Sequence, residues 1–389
     1  MGIKLKSQPS DFIVKEIASL PFHKHGEFST YLLQKSGLNT IDVLKRISKD
    51  LDISLRDFSY GGRKDKHSVS SQYIAIRYPR LGHIKQPNYS LEFLGFMDRP
   101  MGPDLIKENQ FNIVVRNLSD SDIEVAKNEI ELVKNQGFSN YFDDQRFGSF
   151  DKEQGFIAEK ILKGHFNGAL KIYLTLKSSE DDKEERERKK SISAHWRDWS
   201  ACFELARTRF EKIAFSFLEE NPNGFLDLID QIPQEELTTF FSAYQSFIWN
   251  EVLRRLLKEK LTGKCPIHPG VAGDYIFYRD LEREDIKYLE DLKIPTLAKN
   301  LEFKGALLSN IYNQVLADNG INRTLFNKLK IRRAYFKSFE RSAVVKPENL
   351  SFKIGSDELS KSNNKLSLDF SLPRGSYATM LVKRLFNHA

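Results

Sequence analysis

The sequence predicts a mixed α/β (α+β) fold interrupted by a largely helical section. Strand and helix periodicities alternate through about residue 150, helical spacing dominates the middle, and a strand pattern returns near the C-terminus. At 389 residues the chain has room for two or three domains. Its 29 Phe and 14 Tyr, within a 40% hydrophobic composition, supply a sizeable core and speak against disorder.

Taken in order, FIVKE (12–16) is a short strand candidate. Asn39 and Thr40 precede a helical spacing of Ile41, Val43, Leu44 and Ile47. Gln72–Tyr78 is rich in β-branched and aromatic residues and predicts a strand. In QFNIVVR, Phe111, Ile113 and Val115 alternate with more polar neighbours, which predicts a half-buried strand. Ser121 as cap, Glu124 at capping-box spacing and Gly137 as stop predict a helix with Ile123, Ala126, Ile130 and Val133 on one face.

Residues 151–171 predict a helix and a return, and 198–219 one helix with an aromatic face that includes Phe203, Phe210 and Phe217. Pro222 and Pro233 mark 220–234 as a connection before a long helix over 235–257. Leu366, Leu368 and Phe370 then alternate as a strand. If that strand rejoined the N-terminal sheet, the middle section would be an insertion.

The 60 Lys+Arg against 53 Asp+Glu give a net charge of +7, which mildly favours an anionic partner, nucleic acid first. The run EDDKEERERKK (180–190) has six acids and five bases and reads as a solvated helix or loop, weak evidence for nucleic-acid binding. Cys202 and Cys265 are too few for a thiolate-rich metal site and fit reduced thiols in a cytoplasmic protein. The N-terminus has no apolar run of signal-peptide form, and no segment reaches the ~18–20 apolar residues that span a bilayer, so no membrane partner is expected.

Three clusters carry possible chemistry. In GGRKDKHSVSSQ (61–72), Asp65 is flanked by Arg63, Lys64, Lys66 and His67. Neighbouring cations favour an ionised carboxylate and attract phosphate. Such an Asp can act as nucleophile, base or orienting acceptor; a charged hairpin facing water explains the same residues. The glycine spacing fits neither a dinucleotide nor a triphosphate loop. In NYFDDQRFG (140–148), Tyr141 or Phe142 can stack on a base, Asn140 and Gln145 can read polar base edges, and Arg146 can hold phosphate or a carboxylate. A buried strand supplies closely spaced aromatics equally well. In LPRGSYAT (372–379), Pro373 and Gly375 mark a turn before Tyr377 and an apolar run. Neither a dense His/Asp cluster nor an H-E-x-x-H pattern supports a metal site, so none is expected.

Together these segments resemble the TruD family of tRNA pseudouridine synthases. GGRKDKHSVSSQ is similar to that family's G-x-K-D-[KR]-x-[AS]-x-[TS]-x-Q motif, NYFDDQRFG to N-Y-F-G-x-Q-R-F-G, and LPRGSYAT to L-P-x-G-S-Y-A-T. DFIVKE (11–16), GEFSTYLLQKSGLNT (26–40) and FSAYQSFIWN (241–250) resemble further family segments in compatible order. Asp143 stands where the family has Gly, and Trp249 where it has Phe. Asp143 raises the question of whether a left-handed backbone is needed beside Phe142.

The resemblance implies a pseudouridine synthase catalytic domain with a largely helical TRUD-type insertion, divided as 1–154, 155–315 and 316–389. It makes Asp65 the catalytic carboxylate and Phe142 the aromatic that packs on the target base. Asn140, Gln145 and Arg146 are active-site neighbours; Lys64, Lys66 and His67, from their own place beside Asp65, are candidate RNA contacts. It implies a tRNA substrate modified at uridine 13, glutamate tRNA foremost, in a monomer with no cofactor and no obligate protein partner. Isomerising uridine breaks N1–C1′, turns the retained uracil and forms C5–C1′, a balance that requires no redox step, triphosphate or metal. Asp65 can attack C1′ or the ring, or assist an elimination. Which basic residue orients it is open among Lys64, Lys66 and Lys24. The competing readings are a noncatalytic RNA-binding protein and an S-adenosylmethionine-dependent RNA methyltransferase.

Overall fold

The strand patterns at the two ends of the chain meet in a single sheet. A computed structural model describes residues 2–78, 81–178, 180–261, 265–279, 281–331, 333, 335–360 and 363–386. They form two compact units, Met1–Phe138 with Val345–Phe386, and Ser139–Val344. The domain limits implied by the resemblance fall at 154/155 and 315/316, inside the second unit.

The first unit holds ten strands: β1 (Lys4–Leu5), β2 (Phe12–Ala18), β3 (Phe28–Ser36), β4 (Phe58–Tyr60), β5 (Val69–Arg77), β6 (Ile84–Gln86), β7 (Tyr89–Met97), β8 (Ile106–Leu118), β9 (Glu348–Ser356) and β10 (Asn364–Pro373). Their order is β9-β10-β8-β2-β5-β3-β7-β6, with β1 beside β8 and β4 beside β5. β2 and β5 run parallel. The C-terminal strand pairs antiparallel with β8, setting Leu366, Leu368 and Phe370 opposite Val115, Ile113 and Phe111. Both alternating patterns read from the sequence thus bury the same face, and the Phe111 and Phe370 rings stack at 5.5 Å. Residues 139–344 are therefore an insertion between strands of one sheet.

Helix Thr40–Leu51 packs Val43, Leu44 and Ile47 on Tyr31, Leu33, Ile74, Ile76 and Leu91. Each such burial is worth about 1.5–3 kcal/mol. Helix Asp120–Gln136 buries Ile123, Ala126, Ile130 and Val133, and Gly137 ends it at φ +71°. Its cap differs from the expected Ser121 with Glu124. Ser119 accepts from the Asp122 N–H, and the Asp122 carboxylate accepts back from the Ser119 N–H. The shorter Asp reaches the cap as Glu would, so the capping box starts two residues earlier. The C-terminal helix, Ala378–Leu385, lies beside this helix, and its buried Arg384 pairs with Glu129.

In the second unit the expected helix and return over 151–171 are two helices, Ile157–Leu162 and Phe166–Thr175. The charge run lies in helix Lys183–Ala194 and its N-terminal approach. The single aromatic helix expected over 198–219 is two, Trp199–Glu204 and Arg209–Glu220. The break comes from Thr208 and Glu211, which exchange side chain-to-backbone hydrogen bonds at 3.1 and 2.9 Å and start a new helix. The buried face of that helix is Ala214, Phe215 and Leu218, and Phe203 is exposed. The expected connection over 220–234 contains the short helix Phe225–Ile229. The long helix runs Gln234–Lys260 and buries side chains around much of its circumference, from Phe241 to Leu257, as the spine of this unit.

Candidate active site

The GGRKDKHSVSSQ segment is the turn between β4 and β5. At Gly61 an added Cβ would lie 2.1 Å from Ile106 Cδ1, so any larger residue would force the Ile106 side chain to move. Gly62 faces open space. From there a relay pins the loop. The Lys64 N–H donates to Thr40 Oγ1 at 3.0 Å, Thr40 Oγ1 donates to Gln72 Oε1 at 2.7 Å, and Gln72 Nε2 donates to Gly62 O at 3.3 Å. Thr40 and Gln72 are both fully or nearly fully buried. Ser68 Oγ donates to Asp65 O at 2.8 Å. The last residue of the motif therefore holds its first glycines in place.

With the backbone fixed, the Asp65 carboxylate stays 28% exposed. It is paired with the Lys6 ammonium, and its Oδ1 accepts from the His67 N–H at 2.9 Å. Burial opposes ionisation here. The Lys6 hydrogen bond, the His67 N–H and the charges of Lys6 and His67 outweigh it, and hold the Asp65 carboxyl below its ordinary value. Lys6 itself is at φ +56°, just past β1, with its ammonium 4.5 Å from the Phe12 ring centroid. None of the cations considered from sequence, Lys64, Lys66 or Lys24, takes this place.

Two further lysines serve other ends. Lys35, buried in β3, donates to Leu38 O at 2.7 Å and to Asp65 O at 3.0 Å, so it grips the Asp65 loop by its backbone. Burial, only partly offset by the charge of Asp65 and reinforced by Lys64, pushes its ammonium down to about 8. Lys64, expected as an RNA contact, points inward. Its ammonium is 2.7 Å from the fully buried Glu16 carboxylate and 2.9 Å from Asn109 Oδ1, and its side chain is 13% exposed. Glu16 also accepts from the Tyr73 N–H at 2.9 Å. The DFIVKE motif is explained by its inward positions. Phe12 and Val14 pack, Glu16 holds Lys64, and Asp11 accepts from buried Arg116 at 2.8 Å, which also reaches Asp357. His67 is exposed and Lys66 half-buried in the same turn.

The NYFDDQRFG segment lies in the second unit. Its Asn140–Asp143 stretch is extended and clamped by long-range partners. Asn250, on the long helix, accepts from the Phe142 N–H and donates to the Phe142 carbonyl, both at 2.9 Å. Arg341 donates to Asn140 O at 2.8 Å, Asn140 Oδ1 at 2.6 Å and Tyr141 O at 3.3 Å. Its guanidinium stands 4.2 Å from the Phe142 ring centroid, and Trp249 meets that ring edge-on at 5.4 Å.

Two of these side chains are turned away from open surface. Asn140 does not present its amide to a base, because Oδ1 accepts from Arg341 and Nδ2 donates to Ser342 O at 3.0 Å. Phe142 does not offer an open ring, being 4% exposed. Gln145 is exposed, and half-buried Arg146 donates to Ser246 Oγ at 3.3 Å. Asp143 has φ −85°, an ordinary extended value, so its replacement of Gly imposes no strain. Asp144 is structural, accepting from the Val271 N–H and the Tyr275 hydroxyl at 2.8 Å each. Trp249, in place of Phe, is fully buried and donates to Ile294 O at 3.0 Å. In LPRGSYAT, Gly375 turns at φ +86° and Tyr377 leads into the C-terminal helix.

Sequence reasoning missed Lys6, Lys35, Asn250 and Arg341. Lys35 and Asn250 lie in motif segments, but nothing in the spacing gives their partners. Arg341 is 201 positions from the residue it grips. Among the described residues, no group of three or more His, Cys, Asp or Glu is placed to hold a metal ion.

Residues 1–385 match the family model described as tRNA pseudouridine synthase D (TruD). A tRNA pseudouridine synthase D of Leptospira interrogans is 33% identical over 395 residues, covering 98% of this chain and 95% of that one. A Methanococcus maripaludis protein described as "Probable tRNA pseudouridine synthase D 1" is 31% identical over 396 residues, 99% of this chain and all of that one. A crystal structure of the "Putative tRNA pseudouridine synthase D (TruD)" of Methanosarcina mazei superposes with a TM-score of 0.73 at 24% identity, over 100% of this chain and 94% of that one, and so shares the fold.

Proposed function

The chain belongs to the TruD family of tRNA pseudouridine synthases, and from that membership we propose that Asp65 is its catalytic carboxylate and uridine 13 of tRNA, glutamate tRNA foremost, its target. The activity is an isomerisation of uridine to pseudouridine within tRNA. The observation that carries the role of Asp65 is its environment. A carboxylate kept ionised by Lys6 and the His67 N–H, on a loop pinned through Thr40, Gln72 and Lys35, remains reachable from solvent. That combination suits a group that must meet C1′ or the pyrimidine ring without reorganising first.

The uridine must leave its stack before either atom is reachable, at a cost of a few kcal/mol. Asp65 then acts at the ribose or the ring, N1–C1′ breaks, the uracil turns, C5–C1′ forms, and the C5 proton is lost while N1 gains one. Phe142 is the residue that meets the turned base on this reading. With its ring 4% exposed, that contact requires a rearrangement when RNA binds. Gln145 and His67, both exposed, are available to RNA without one. The test is base-resolved mapping of pseudouridine in a set of unmodified tRNAs incubated with the protein. Signal confined to uridine 13 supports the proposal, and signal only at other uridines overturns the position while leaving the reaction.

A further inference from the structure

Two charge-rich runs in the second unit differ in what their charges do. In 180–190 the acids and bases neutralise one another. Arg188 pairs with Glu185 and Glu211, Lys189 reaches Asp181 at 2.8 Å, and Glu184 pairs with Arg207. Residues 322–339, NRTLFNKLKIRRAYFKSF, contain six Lys or Arg and no Asp or Glu. Arg333 reaches Asp230 at 3.3 Å. Arg323, Lys328, Lys330 and Lys337 are exposed, and among the described residues no carboxylate lies within 4.0 Å of them.

The same strip exposes aromatic surface, Tyr335 at 65% and Phe339 at 49%. Its backbone is nonetheless anchored. Phe336 is buried, 4.7 Å from the Phe241 ring and 5.4 Å from Phe326. Gln245 donates to Lys337 O at 3.1 Å, and the Phe339 N–H donates to Thr296 Oγ1 at 3.1 Å. Because Phe326 lies in helix Arg323–Asn327, its contact with Phe336 joins the turn carrying Tyr335 to the helix carrying Arg323. Unpaired cations around an exposed ring match a phosphate backbone with an unstacked base, and an acidic peptide would leave the ring without use.

We propose that this strip is an RNA-contact surface, binding phosphates through Arg323, Lys328, Lys330 and Lys337 and stacking an unpaired base on Tyr335. The inference rests on the tRNA-modifying reading and deepens it by assigning where the insertion holds its substrate. The strip binds and positions RNA; it takes no part in chemistry at Asp65.

The experiment measures the affinity of unmodified tRNA against salt, with the single-turnover rate at saturating RNA in parallel. Removing all four charges (Arg323→Gln, Lys328→Gln, Lys330→Gln, Lys337→Gln) lowers the salt slope by about 3, at about 0.7–0.9 per phosphate, and weakens binding about tenfold or more near 0.1 M salt. Tyr335→Ala weakens binding roughly 5- to 100-fold with the slope unchanged. The paired run is the control, and Lys189→Gln with Lys190→Gln stays within about twofold. Saturated rates stay near wild type throughout. An unchanged slope and affinity in the fourfold variant, or an equal loss in the control, overturns the proposal and leaves an acidic protein as the strip's partner. Strip-dependent binding with no pseudouridine in any tRNA would instead sink the functional reading and leave the strip standing.

Discussion

Around Asp65, side chains that bind backbone leave the functional group open. Gln72, Thr40, Ser68 and Lys35 fix the loop, and the carboxylate keeps 28% of its surface. Around Phe142, the same device closes over the functional group. Asn250 takes both backbone groups of Phe142, Arg341 lies on its ring, and 4% of the residue is exposed. The difference separates two demands. The carboxylate proposed to react is held by one cation and one N–H and remains accessible, whereas the aromatic proposed to meet the base is built into its unit's core and must rearrange to do so. Substitutions in the first region should therefore alter rate and its pH dependence, and those in the second should alter stability.

The largest effect is expected at Asp65. Asp65→Asn keeps size and removes charge, and should cut turnover by roughly 10³-fold or more while tRNA affinity stays within about twofold. Single-turnover kinetics with filter binding checks both; an equal loss in affinity would erase the contrast. Next, Asn250→Ala leaves the buried N–H and C=O of Phe142 without their partner and should cost about 2–5 kcal/mol in urea unfolding. A loss of rate with full stability would place Asn250 in the chemistry instead.

Lys6→Met should lower the rate at neutral pH about 10- to 100-fold. With the ammonium gone, burial dominates the Asp65 carboxyl, so its pKa rises and the acid limb of the pH–rate profile moves upward. An unmoved limb would show that Lys6 is not what keeps Asp65 ionised.

A finer test uses Lys35, whose folded pKa of about 8 lies below the ordinary lysine value of 10.5. Between these values the unfolded chain binds more protons, so this residue's contribution to stability rises with pH across that window. Wild type should therefore gain stability relative to Lys35→Met between about pH 7.5 and 9.5; a constant difference would contradict the burial of a titrating ammonium. The smallest effect is Ser119→Ala, expected to cost about 1 kcal/mol through the lost helix cap, with no change in rate.

Local signals in the sequence marked the strands but only permitted the interruption of their sheet. Alternation at Phe111–Val115 and Leu366–Phe370 predicted strands that pair with each other, because a two-residue period admits one buried face. The Thr208-x-x-Glu211 signature was present too, but the aromatic periodicity running across it suggested a continuous helix. Ser119-x-x-Asp122 was hidden by a longer acid at the next equivalent spacing. At the site, Asp65 and its loop were legible because the motif is contiguous, with His67, Ser68 and Gln72 among their partners. Lys6, 59 positions away, and Arg341, 201 positions from Asn140, were not. Nor could composition show that Lys64 points inward, since a lysine beside an aspartate looks alike whether or not Glu16 waits beneath it.

The central claim is that Asp65 performs chemistry at uridine. It is tested most directly by tritium release from C5-labelled, unmodified tRNA, with wild type, Asp65→Asn and Asn250→Ala assayed under saturating protein at a temperature where all three are folded. Release by wild type, none by Asp65→Asn, and substantial release by folded Asn250→Ala is the predicted result. Release by Asp65→Asn at the wild-type rate would contradict it.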